Sequence, residues 1–248
     1  MSPMTMSSAE QLLLNVRPRA DLRLEDFAGA AFGHVLAACA TLLAGPAAPC
    51  FISGEDACGR NALLTALCAE ADRRGLRAML LPLPELLDMG PELLAGLEGT
   101  DLLILDGLEA LAGLRAWEEA LFHLYNRALA TPASRLLFAA RLPVRGLDIG
   151  LPDLRSRLQQ ATAYALPVPD DAIRQQLLSA GAQRRGLVLL PEVERFLLER
   201  GPRSLETFIN CLEQLDKLSL RDQRRLTVPF VRDVLSGLPE KTGQSDKI

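Results

Sequence analysis

The run TDLLILDG at 100–107 leaves few folds open. Leu102 to Leu105 are apolar without a break, so a strand there must be covered on both faces. APCFISG (48–54), RAMLLPL (77–83), SRLLFAA (134–140) and ATAYALP (161–167) read as further short buried strands. Between them lie amphipathic stretches, NALLTALCAEADRRG (61–75), closed by Gly75, and AWEEALFHLYNRALA (116–130). A less defined helical stretch runs to about residue 98, and apolar spacing from Leu22 to Leu43 predicts a helix ahead of the first strand. Five strands alternating with helices predict a parallel sheet with helices on its faces, an α/β fold.

After Pro167 and Pro169 the pattern turns wholly helical. DDAIRQQLLSAGAQRRG, LPEVERFLLERG, RSLETFINCLEQLDKLSL and TVPFVRDVLSG read as four successive helices, the last with Pro229 in its first turn. The expected organisation is a tail over 1–20, an α/β domain over 21–167, a helical domain over 168–238 and a fraying end over 239–248.

Composition narrows the function classes. A net charge of −4 and a pI near 5.4 argue against a surface built to coat nucleic acid. The five cysteines form no C-x-x-C pair, and only two histidines are present, so reduced buried thiols are expected and not a disulfide framework or zinc site. No signal peptide or apolar span is visible, which predicts a cytoplasmic protein without a membrane partner.

Residues 54–61 read GEDACGRN, between the first strand and its helix. Gly54 and Gly59 have the spacing of a phosphate-binding loop, where backbone amides and a helix dipole favour an anion. Arg60 stands in place of the usual lysine and Asn61 in place of the magnesium-holding hydroxyl. Asp106, at the end of a buried strand, has the place of a metal-binding aspartate, or else caps a helix starting at Leu108. Gly107 offers no acid to orient water, Glu109 helps only if its turn folds back, and Phe138-Ala139-Ala140 offers no polar sensor. The loop reads as an ordinary strand-to-helix turn or as a phosphate site without turnover.

The order of glycine loop, Asp106, GLPDLRSRL (150–158) and helical lid resembles the AAA+ core of the bacterial replication initiator DnaA. Within that family it is most similar to the Hda branch of DnaA-homologous regulatory inactivators, over about residues 10–238. WEEALFHLYNRAL (117–129), FLLER (196–200), LEQLDKLSL (212–220) and RRLTVPFVRDVL (224–235) carry most of the likeness. The resemblance implies a regulator that binds the β sliding clamp of DNA polymerase III and prompts DnaA to hydrolyse its ATP. It implies that Arg157, in RSRL, is an arginine finger supplied in trans; Arg155 is the competitor, and pairing with Asp153 the plain alternative. Arg203 matches the sensor 2 arginine facing the chain's own nucleotide, its alternative being a solvated first-turn residue. Gln11, Leu12 and Leu14 of QLLLNV match the clamp-binding peptide, unless the segment packs on its own domain.

The implied nucleotide is ADP, held by Gly54, Gly59, Arg60, Asn61, Asp106 and Arg203, with magnesium at Asp106 doubtful. Arginine in place of the loop lysine is common in the Hda branch, but Ala57 replaces the middle glycine and FAGAAFGHV lacks the family's asparagine. The chain stops after the lid, where DnaA has a helix-turn-helix domain, so sequence-specific DNA binding is not expected. A nucleotide-free adaptor and an ATPase with its own turnover are the competing readings. Finger-to-site packing in such folds leaves a homo-oligomer open.

Overall fold

The computed structural model describes residues 23–131, 133–222 and 225–237. Gln11, Leu12, Leu14 and the ends of the chain lie outside them. Five parallel strands, β1 (Cys50–Ser53), β2 (Ala78–Pro82), β3 (Leu102–Asp106), β4 (Arg135–Ala140) and β5 (Thr162–Ala165), form one sheet in the order β2-β3-β4-β1-β5. In β3, Leu102 and Ile104 join the core on one face while Leu103 and Leu105 join the other. Both layers are apolar, which is why the strand shows no alternation in sequence.

The first layer holds α1 (Gly33–Ala44) and α2 (Arg60–Arg73), with Leu42, Leu63 and Leu67 excluded from solvent. The second holds α4 (Arg115–Ala130) and α5 (Pro152–Gln160), with α3 (Leu83–Leu86) as a single turn after β2. Leu121, Leu124, Leu154 and Leu158 have no exposed surface there, and each such side chain stabilises the layer by roughly 1.5–3 kcal/mol.

The helix expected from Leu22 is a correction. Residues Leu24–Phe27 and Ala30–Phe32 form 3-10 turns, and the α-helix begins only at Gly33. Phe27 and Phe32 both reach the core, with ring centroids 5.5 Å apart edge to face. Five positions apart, they do not share one helix face. The chain bends at Ala28, which is extended, to bring both inward.

The helical domain contains α6 (Asp171–Arg185), α7 (Pro191–Arg200), α8 (Leu205–Asp222) and α9 (Val228–Ser236). Asp170 caps α6 by accepting from the Ile173 amide at 2.7 Å. Arg174 is fully buried and donates to the Leu198 carbonyl at 2.7 Å, satisfying the end of α7, with its guanidinium 5.1 Å from the Phe208 ring centre. Leu178, Val193, Leu197, Phe208 and Leu212 form the domain's own core.

The two domains share buried surface, because Leu177, Leu205 and Ile209 enter the first layer of the α/β core. Asp26 reinforces that joint. Its buried carboxylate accepts from Arg184 and, at 2.8 Å, from Arg185, both on α6. All five cysteines are buried, and burial pushes the Cys39, Cys68 and Cys211 thiols up to about 12. Among the described residues no helix is long and apolar enough to cross a membrane.

Candidate functional site

Parallel register brings the carboxyl ends of β1, β3 and β4 to one edge of the sheet, where α/β proteins build their sites. Gly54 donates its amide to Ala140 at 3.1 Å, and Gly107 donates to Ala139 at 2.9 Å. The glycine loop and Asp106 therefore meet, as their positions in the sequence suggest.

Gly59 has φ +74° and leads directly into α2, which has no side-chain cap. Such an uncapped amino end suits an anion. The close approach of the helical domain also needs a glycine here: a Cβ at position 59 would lie 3.1 Å from Leu205 Cβ and 3.4 Å from Phe27. The loop is thus roofed by the first residue of α8 and by the amino-terminal turn.

Arg60 fills the pocket under that roof. Buried with only 7% of its surface exposed, it donates from Nε to Asp106 Oδ1 at 2.7 Å and from a terminal nitrogen to the Gly54 carbonyl. A lysine ammonium could not span both in this fork. The Asp106 carboxyl is nonetheless held above the usual carboxylate range, first by burial, with Arg60 pulling it down and Glu109 adding a smaller push upward. Asp106 does not cap the next turn: Leu108–Leu111 is a 3-10 turn whose cap position is Gly107 and which has no side-chain cap.

That turn does fold back. Both Glu109 carboxylate oxygens accept from the Arg141 amide at 3.3 Å, just beyond the tip of β4. Gly107 itself has φ +80°, and a Cβ there would lie 2.6 Å from Pro84 Cδ. Asn61 donates to Glu206 at 3.5 Å, a weak exposed contact.

These residues do not fit a magnesium ion. Asp106 already serves Arg60, Asn61 faces Glu206, and no group of three candidate ligands occurs among the described residues. A diphosphate would be held at the amino end of α2, which has no side-chain cap. Arg203 lies two residues before α8, not within it, and its exposed side chain reaches Asp171 at 3.5 Å.

Arg157 sits on the other layer, in the last turn of α5, apart from the glycine loop. Its side chain is half-buried and makes no ion pair or hydrogen bond among the described residues, Asp153 included. Arg155 is engaged instead, with Nε donating to the Ile149 carbonyl at 3.0 Å and a second nitrogen to the same oxygen. The backbone around Arg157 is fixed. Its carbonyl accepts from the Tyr125 hydroxyl at 3.4 Å, and that ring stacks on Phe138 with centroids 5.7 Å apart.

The sequence passed over Glu118. Its carboxylate is buried and accepts from Gly113 at 2.9 Å, Gly150 at 2.9 Å and Leu151 at 2.7 Å. Only its place next to Trp117 in an otherwise amphipathic helix hinted at burial.

Residues 171–235 match the family model described as the lid domain of Hda. Among solved structures, domain III of the Thermotoga maritima replication initiation protein DnaA superposes with a TM-score of 0.66 at 19% identity, covering 87% of this chain and 96% of that one. AMPPCP-bound DnaA from Aquifex aeolicus gives 0.64 at 22% identity, over 87% of this chain and 71% of that one. The Thermotoga maritima Holliday junction branch migration motor RuvB gives 0.61 at 15% identity, over 89% and 76%. The chain shares the fold of these structures.

Proposed function

We infer that this Hda-like AAA+ chain, related to DnaA in fold, is a regulator of replication initiation that acts on a nucleotide-loaded partner and not by its own turnover. One observation carries the reading: the half-buried Arg157 side chain has no ion pair or hydrogen bond among the described residues, on a helix whose backbone is tied down. A fixed, unsaturated arginine can stabilise charge developing on the phosphates of a docked neighbour, a device worth on the order of a thousandfold in phosphoryl transfer. The partner is DnaA carrying ATP. Attachment to the sliding clamp through Gln11, Leu12 and Leu14 belongs to the same proposal.

The chain's own pocket supports a supporting role. A diphosphate there would use the uncapped amino end of α2 and the exposed charge of Arg203. A nucleotide-free adaptor is the second reading, favoured by the closure of Phe27 and Leu205 over Gly59 and by Arg60 occupying the space beneath. Calorimetric titration with ADP separates the two, micromolar binding supporting a nucleotide-gated form and no binding the adaptor.

The deciding experiment measures ATP hydrolysis by DnaA with purified regulator and DNA-loaded clamp. Arg157→Ala should remove the stimulation, on the order of a thousandfold in the limit of full coupling. Stimulation unchanged in that variant would end the assignment. Gln11→Ala with Leu14→Ala should weaken clamp capture in a pull-down while leaving the finger intact.

A further inference from the structure

Helix α5 projects Arg157 from nine residues of helix, about 13 Å long at 1.5 Å per residue. So short a helix has little rigidity of its own, and its start is capped by no side chain on Leu151. What holds the start is Glu118. One buried carboxylate gathers the amide of Gly113, ahead of α4, together with the amides of Gly150 and Leu151, ahead of α5. Among the described residues no cation pairs with it; three backbone N–H donors stabilise its charge. Gly150 permits the approach, since a Cβ there would lie 3.3 Å from a Glu118 oxygen. Leu154 and Leu158, both without exposed surface, then set the rotation of the helix, and Tyr125 secures its far end at the Arg157 carbonyl.

We propose that Glu118 is the positioning residue for the Arg157 finger, fixing the origin of α5 so that the guanidinium reaches a partner's phosphate at a set height and angle. This rests on the finger reading above. Glu119, one position on, has the same charge but pairs at the surface with Arg115 at 2.5 Å and cannot substitute. Neutralising Glu118 with Gln keeps its shape but turns one acceptor into a donor facing an amide, so one corner of the joint must open. Displacement of a charge-stabilising group by about 1 Å costs up to a hundredfold in rate.

The test uses the full-length chain in the stimulated hydrolysis assay, with amide hydrogen exchange on the same samples. Glu118→Gln should lower the maximal stimulated rate by about tenfold or more, with the concentration for half-maximal stimulation unchanged. The Gly150 and Leu151 amides should exchange faster while the sheet stays protected. A variant that stimulates like the wild type, beside an inactive Arg157→Ala, overturns the positioning role and leaves the finger standing. A wild type that stimulates nothing ends the finger reading; unchanged exchange at Gly150 and Leu151 would then end the positioning role as well. Should Glu118→Gln fail to fold, Tyr125→Phe takes its place, with a several-fold drop in maximal rate expected and an unaltered rate overturning the proposal.

Discussion

Arg60 and Arg157 are the same side chain on helices of opposite layers, yet their surroundings are inverted. Arg60 begins α2, where the helix dipole opposes a cation, and is compensated by Asp106 and the Gly54 carbonyl. Arg157 ends α5, where the dipole favours a cation, and has no counter-charge among the described residues. The first arginine is consumed by its own fold, and the second is left over from it. Residue type alone does not assign a role; the degree to which its donors are already satisfied does.

The contrast breaks most readily through stability. Arg60→Ala leaves a half-buried carboxylate without its cation and should cost about 2–3 kcal/mol of unfolding free energy, read from urea melts. Arg157→Ala should stay within about 0.5 kcal/mol of wild type. Equal losses would make both arginines structural and dissolve the distinction. Arg60→Lys should fall in between, since an ammonium holds one of the two acceptors well.

Acidity sharpens the same difference. Asp106 holds its proton more tightly in the folded chain than a free carboxyl does, so its contribution to stability falls as pH rises from the ordinary carboxylate range through the folded pKa. Without Arg60 that folded pKa moves further up. The deficit of Arg60→Ala should therefore be largest at neutral pH and shrink on acidification into that interval, followed by denaturation at several pH values. A deficit independent of pH would mean that Asp106 is wetter than its burial indicates. The smallest effect belongs to Asn61→Ala, about 0.5 kcal/mol or less, because its contact with Glu206 is long and exposed.

The elements of the fold were legible because burial on both faces leaves strands such as LLIL unbroken, and because amphipathic helices repeat on their own period. The order of the strands was not, since no local pattern records which strand lies beside β1. Helix α5 has a weak helical signature, with just Leu154 and Leu158 fully buried to mark its period. At the site, the structure brings Gly54, Arg60 and Asp106 together, but the sequence offers no sign that Arg60 turns inward to pair with Asp106. Glu118 was hidden for a similar reason. Its partners lie as far as 33 positions away, and Glu119 looks identical to it on the page.

Gly107 sets how reversible this design is. Its left-handed backbone and the Pro84 ring against it mean that an acidic residue cannot simply be introduced beside Asp106. Placing an acidic side chain there would demand simultaneous changes in two turns, at Gly107 and at Pro84, so single substitutions drift around this corner of the fold without altering it.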